Sequence, residues 1–134
     1  MSVEIRPLTL RGVLSVCERM RQSDWAEVIN LLPKSCDTPE LIAMTTMQIS
    51  HFGFVAEVDG VPTTVAQFVQ ILDGTWRCGL FSTDDFLKAW RGVVRELKTT
   101  CMWHLLDSGA EYCDAYADTL PLEAHRLLEH LGFR

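Results

Sequence analysis

The apolar positions of this chain change period along its length, and those changes divide it into elements. Val3 and Ile5 alternate with Glu4 and Arg6, the two-residue period of a short strand, and Pro7 ends it. Val13, Val16, Cys17 and Met20 then recur at three- and four-residue spacing, which predicts a helix with one buried stripe. Asp24 opens a further turn of helix, with Glu27 placed to complete a capping box. Pro33 to Asp37 reads as a loop. Thr38 caps a second helix with Pro39 at its first position, where a missing N–H costs nothing. That helix should carry Leu41, Ile42, Thr45 and Ile49 inward and end near Ser50.

From Gly53 the period falls to that of strands. Gly53 to Val58 is followed by Asp59-Gly60, a strong hairpin signal, and Thr63 to Leu72 returns. Asp73-Gly74 makes a second turn and Trp76 to Phe81 a third strand, so three consecutive strands form an antiparallel meander. Thr83 then caps the longest helix, with Asp84 and Asp85 favouring the dipole in its first turn. Its apolar stripe is Phe86, Trp90, Val93, Val94, Leu97 and Cys101, and Gly109 stops it. Glu111 to Ala117 is a further strand. Pro121 to Leu131 is a last helix, ended by Gly132. The order is β-α-α-β-β-β-α-β-α, and it predicts an α/β (α+β) fold: a mixed, mainly antiparallel sheet flanked by helices.

Length adds one constraint. A chain of 134 residues reads as one domain, 1–134, and buries roughly 65–70% of its unfolded surface, enough for a real core. No apolar run is long enough to span a bilayer, so no membrane role is expected. MSVEIRPLTLRG has neither an apolar core nor a small-residue cleavage site, so it does not read as a signal peptide. The formal net charge of -6 argues against a large phosphate-neutralising surface, and nucleic acid is not an expected partner. Cys17, Cys36, Cys78, Cys101 and Cys113 are widely spaced, odd in number and never form C-x-x-C. Reduced thiols in a cytoplasm are the plain reading.

The two ends of the chain carry a resemblance. The stretch PLEAHRLLEHLGF matches the ending Asn-x-x-Ala-x-x-Leu-Tyr-x-x-x-Gly-Phe of GNAT (N-acetyltransferase-like) proteins at Ala124, Leu127, Gly132 and Phe133. Ile5-Arg6-Pro7 is similar to the way many GNAT chains close their first strand. The combination of MRQSDWAEV, HFGFVAEVDGVPTTV, TWRCGLFSTDDF and EAHRLLEHLGFR resembles a phage-encoded branch of that superfamily, some members of which are described as internal virion proteins or acetyltransferase-like. The resemblance covers essentially the whole chain. It implies acetyl-CoA as cofactor and amine attack on a thioester as chemistry, and it implies two more strands after the last helix; the sequence stops at Arg134, so either the protein or this chain is short of them.

Set against that implication, the residues depart from the family's site. GNAT enzymes hold the cofactor's pyrophosphate on main-chain N–H groups of an Arg/Gln-x-x-Gly-x-Gly/Ala loop at a helix start, where glycines allow close approach. The matching place here reads Ser82, Thr83, Asp84, Asp85, Phe86, with no glycine and two carboxylates. Each like-charge contact near 4 Å would cost roughly 4 kcal/mol at an effective dielectric of about 20. If acetyl-CoA bound, Phe81, Ser82 and Thr83 would be its contacts; none is expected. The family's proton-donating tyrosine is Leu128 here, and the asparagine before the alanine is Pro121. Glu57, Asp73, Glu111 and Asp114 are the remaining candidate bases, each more readily read as a solvated strand or turn residue.

Other groupings carry less. His51, His104, His125 and His130 have no ligand spacing that fits a metal, so none is expected. Lys88, Arg91, Arg95 and Lys98 share one helix face, the ordinary solvated side or a receiver for an acidic partner. Trp25, Trp76, Trp90 and Trp103 follow the apolar stripes and read as core. Two functions remain in view, with a third, an inhibitor of a host protein built on the same scaffold, behind them. One is a catalytically degenerate GNAT-like protein of phage type, working in virion assembly or interaction, in the host cytoplasm or the particle. The other is an active acetyl-CoA-dependent N-acetyltransferase on an unknown amine. For the first, the partner or a second copy would pair along the edge of strand 111–117, where Tyr112, Cys113 and Tyr116 are adhesive and Glu111, Asp114 and Asp118 oppose by charge.

Overall fold

The computed structural model describes residues 1–31 and 37–115. Among these residues five strands form one sheet in the order β1-β2-β3-β4-β5: β1 (Val3–Pro7), β2 (Phe52–Val58), β3 (Val61–Leu72), β4 (Thr75–Ser82) and β5 (Tyr112–Ala115). The first four run antiparallel to their neighbours, and β5 joins β4 in parallel. A parallel neighbour cannot be reached by a tight turn, so a helical crossover must intervene. It is built from α4 (Phe86–Glu96), a π turn (Leu97–Cys101) and α5 (Met102–Asp107). Between β1 and β2 lie α1 (Leu10–Glu18), α2 (Gln22–Leu31) and α3 (Pro39–Ile49). The mixed, mainly antiparallel sheet expected from the sequence is therefore present. The last expected helix, 121–131, lies outside the described residues, as do 116 and 117 of the expected last strand.

Helices cover both faces of the sheet, and this explains why β2 reads as nearly continuous apolar sequence. On one face Phe54, Ala56, Ala66, Phe68, Trp76 and Cys78 pack beneath Ala89, Val93, Leu97, Cys101 and Leu105. On the other, Val55, Val65 and Phe81 meet Val13, Val16, Cys17, Ile42 and Ala43. A strand buried on both sides shows no clean alternation. The β2–β3 turn uses Asp59 (φ 51°) and Gly60 (φ 82°), the paired left-handed conformations of a two-residue hairpin. Thr38 caps α3 as its sequence implies, its hydroxyl accepting from Leu41 N–H at 3.2 Å, a contact worth about 1 kcal/mol.

Several local expectations need correction. Helix α4 begins at Phe86, with Asp85 as its cap residue and no side-chain capping bond. Thr83 is not a cap: it bridges to Met20, and its hydroxyl accepts from Asp85 N–H at 3.3 Å. Asp84 and Asp85 therefore precede the helix. Met20 lies beyond α1, and α2 starts at Gln22, so Asp24 sits inside its first turn and does not open it. In α3 the buried residues are Ile42, Ala43 and Thr46, while Leu41 and Ile49 are exposed. Trp76 is core, but Trp90 is 38% and Trp103 68% exposed. The π turn is what lets one helix serve the whole face. A straight α-helix of this length would drift away from the sheet, because about 100° per residue does not keep four-residue steps aligned. Widening Leu97–Cys101 by one residue per turn brings Cys101 and Leu105 back over the core, where both are buried.

Candidate functional site at the end of β4

β4 has two different halves. Thr75 to Cys78 pair with β5 on one side, in register with Tyr112 to Ala115, and with β3 on the other. From Gly79 to Ser82 the β3 pairing continues alone among the described residues. At Ser82 the open side is taken by the start of α2. The Ser82 carbonyl accepts from Arg21 N–H at 2.8 Å, and Ser82 N–H donates to Asp24 Oδ2 at 2.7 Å. Asp24 is 1% exposed. The Arg21 guanidinium reaches both carboxylate oxygens, at 3.0 and 3.1 Å from Nη2, with Nε at 3.3 Å from Oδ2. It also lies 4.9 Å from the centre of the Phe86 ring.

The same turn is fastened to β3. Thr83 N–H donates to the Thr63 carbonyl at 2.9 Å, and the Ser82 hydroxyl donates to the same carbonyl at 2.8 Å. Thr64 and Ser82 hydroxyls meet at 2.9 Å. Ser82, Thr63, Thr64 and Thr83 are all buried, so these bonds satisfy groups that would otherwise be costly. Phe86 N–H then closes the turn on the Thr83 carbonyl at 3.3 Å. Of the residues expected to touch acetyl-CoA, Phe81, Ser82 and Thr83 are buried, and the N–H groups of Ser82 and Thr83 already donate inward. Asp84 and Asp85 stand exposed in front of α4, with Asp85 paired to Lys88 at 3.2 Å.

The candidate bases do not converge. Glu57 lies opposite Pro62 and faces Arg6 at 3.5 Å. Asp114 is held by Arg77 at 2.9 and 3.2 Å, opposite Val69, seven positions further along β3. At about 3.3 Å per residue that separation is roughly 23 Å. Glu111 rests its side chain against Gly74 and donates its N–H to the Gly74 carbonyl at 2.8 Å. Asp73 is exposed in the β3–β4 turn. Asp114 pushes the Arg77 guanidinium up from its ordinary value, chiefly through their hydrogen bond.

Nor do the thiols among the described residues, Cys17, Cys78, Cys101 and Cys113, read as nucleophiles. Burial, followed by nearby negative charge, pushes Cys17 and Cys101 up to about 12 and Cys113 up to about 11; Cys78 is raised well above its ordinary value by burial. These thiols stay protonated at neutral pH, and the protonated thiol is the unreactive form. His51 and His104 are exposed: His104 stacks on Phe52 at 3.8 Å, while His51 stands edge-on to Trp76 at 5.3 Å and its Nδ1 accepts from Gln70 N–H at 3.3 Å. Among the described residues no three His, Cys, Asp or Glu side chains are arranged to hold a metal ion. No helix among them is long and apolar enough to cross a membrane. Leu128, Pro121, His125 and His130 lie outside the described residues.

Sequence reasoning missed the Arg21–Asp24 pair as a feature of this site. The Arg-x-x-Asp spacing at a helix start was its local signal. Its meeting with Ser82, 58 residues away, has no counterpart in the sequence pattern.

An antiparallel run of four strands, a helical crossover from the fourth and a parallel fifth define a fold class: that of the GNAT N-acetyltransferases. Among solved structures the chain is similar to a GNAT-family acetyltransferase from Bacillus anthracis, at 14% identity and a TM-score of 0.66, covering 100% of this chain and 81% of that one. It is similar to a ribosomal-protein-alanine N-acetyltransferase from Brucella melitensis biovar Abortus, at 15% identity and 0.65, covering 97% and 90%. A third is the aminoglycoside N-acetyltransferase AAC(6')-Iy in complex with a CoA bisubstrate analog, at 16% and 0.63, covering 100% and 92%. No family model matches the sequence, and no curated protein does. At these identities the likeness concerns the fold.

Proposed function

We propose that this chain is a catalytically degenerate GNAT-fold protein of phage type that acts through interaction, in virion assembly or association, within the host cytoplasm or the particle. The observation that supports this reading is the turn after β4. Its Ser82 and Thr83 N–H groups donate to Asp24 and Thr63, and two exposed carboxylates precede α4 where a diphosphate would need positive potential. The alternative, an acetyl-CoA-dependent N-acetyltransferase, draws on similar structures that are described as N-acetyltransferases, one of them in complex with a CoA bisubstrate analog. A titration separates the two. The expected result is no calorimetric heat and no thermal shift with acetyl-CoA at micromolar concentration. A real site held at 100 times its Kd would add about 2.7 kcal/mol of stability, and that outcome would restore the enzyme.

The interaction surface in this proposal is the outer edge of β5, which is the last strand in the sheet among the described residues and where Tyr112 is 58% exposed. An unpaired strand edge is a template for another strand, and a second copy of the chain is its simplest occupant. Sedimentation should show concentration-dependent association, reduced in Tyr112→Lys, which sets a charge on the edge. A monomer at every concentration for the unmodified chain would rule out the second copy.

A further inference from the structure

The helical crossover between β4 and β5 carries large apolar side chains that the core does not use. Leu87 is 61% and Leu106 60% exposed, and Trp90, Met102 and Trp103 are exposed beside them. The sheet is already covered by Ala89, Val93, Leu97, Cys101 and Leu105 from the same crossover. One exposed leucine says little, but several on one side of one helix mark an interaction surface. Leu87, Arg91, Arg95, Lys98, Met102 and Leu106 follow one another at three- and four-residue steps, and all six are exposed. They therefore share one side of a rod about 30 Å long. Trp90 stands three residues from Leu87, and Trp103 three from Leu106, as neighbours of that line.

Charge says what this side fits. The chain as a whole stands at -6, yet residues 86–107 hold four Lys or Arg against two Asp or Glu. Lys88 is answered by Asp85 at 3.2 Å. Arg91 and Arg95 enter no ion pair among the described residues. Salt limits the reach of a surface charge to about 8 Å at physiological ionic strength, so the facing cations outweigh distant carboxylates. Cations in the middle and protruding apolar side chains at both ends suit a partner that is anionic at its surface and apolar just beneath. A folded protein would need matching grooves for Leu87, Trp103 and Leu106, whereas a lipid interface deforms around them.

We propose that the outer side of α4, the π turn and α5 docks on an anionic lipid surface. Arg91 and Arg95 meet the headgroup phosphates, and the two tryptophans and two leucines enter the boundary with the acyl chains. No helix among the described residues is long and apolar enough to cross a bilayer, but a helix lying on one needs no span. The expectation of no membrane role thus bears on crossing alone. The inference goes beyond the proposed function and does not rest on it, since neither the β4–α4 turn nor the β5 edge takes part.

Vesicle flotation of the full chain tests it. Binding to phosphatidylcholine vesicles containing about three parts in ten phosphatidylserine should exceed binding to phosphatidylcholine alone by about tenfold or more. About 0.5 M sodium chloride should remove most of that binding, a check that needs no variant. Arg91→Gln with Arg95→Gln should weaken it about tenfold or more. Trp103→Ser with Leu106→Ser should weaken it about as much, and exposed positions leave the denaturation midpoint in place. No flotation with the anionic vesicles, or equal flotation with both compositions, would overturn the proposal. Full binding by the Trp103→Ser, Leu106→Ser chain would mean that any polyanion serves, which overturns the lipid surface as partner. Concentration-dependent self-association that those two substitutions abolish, without flotation, would assign the surface to a second copy instead. The acetyl-CoA titration decides the proposed function separately.

Discussion

Gly53→Ala should cost about 3 kcal/mol or more, beyond the 1–3 kcal/mol usual for overpacking. The sign is unusual. At a relaxed site, exchanging glycine for alanine stabilises by roughly 0.4–1 kcal/mol through the unfolded chain. Here a Cβ on Gly53 would sit 2.2 Å from the Ala66 carbonyl oxygen, 2.9 Å from Leu8 Cδ1 and 3.0 Å from Gln67 Cα. The nearest of these is main chain in β3, and Gly53 faces Gln67 in the β2–β3 register. That oxygen cannot retreat without loosening the ladder at the middle of the sheet. No side chain is smaller than a methyl, so no rotamer relieves the contact. Urea denaturation checks this: a midpoint equal to that of the unmodified chain would mean the two strands are not this close.

Phe68→Ala is the second large effect, an expected loss of about 3–5 kcal/mol. Phe68 is 1% exposed and stacks on Phe52 with ring centres 4.6 Å apart and planes 6° from parallel. Phe52 passes the contact on to His104 in α5 at 3.8 Å. The ladder Phe68–Phe52–His104 thus joins the centre of the sheet to the second half of the crossover. Removing its base leaves a ring-sized void beneath Phe52 and loosens the seat of α5. Two readouts follow: the denaturation midpoint falls, and amide exchange speeds up over Met102–Asp107 more than over α1. A loss below about 1 kcal/mol would mean the site collapses around the deletion, and uniform exchange would remove α5 from the ladder.

The sequence carried the local parts of this fold well. Asp59-Gly60 specified its own turn, because only a few residue types tolerate two consecutive left-handed conformations. Thr38-Pro39 likewise marked a helix start that needs no tertiary help. Helix phase was less legible. Apolar spacing identifies a stripe but leaves its margins open, so Leu41, Ile49 and Trp90 were drawn inward when the packing leaves them exposed. The π turn could not be foreseen at all, since Leu97 to Cys101 has no composition that sets it apart; its cause is the demand that Leu105 still face the sheet. Of the candidate site, the loop Ser82 to Phe86 and its two aspartates were visible as a departure from a phosphate cradle. The inward hydrogen bonds of Ser82 and Thr83 were not, because they depend on partners brought in from α2 and β3.

The strand order also dictates an order in time. β2, β3 and β4 are joined by tight turns, so their pairing closes only short loops and can form early. Both outer strands are remote from their neighbours in the chain: Val3 pairs with Val58, and Thr75 with Tyr112 across the whole crossover. Loop-closure cost alone therefore favours early pairing in the meander and later addition of β1 and β5. What is added last is generally released first when the native state opens locally. On that expectation the surface that β5 presents would be a late product of folding, missing from a partly folded chain that holds only the meander.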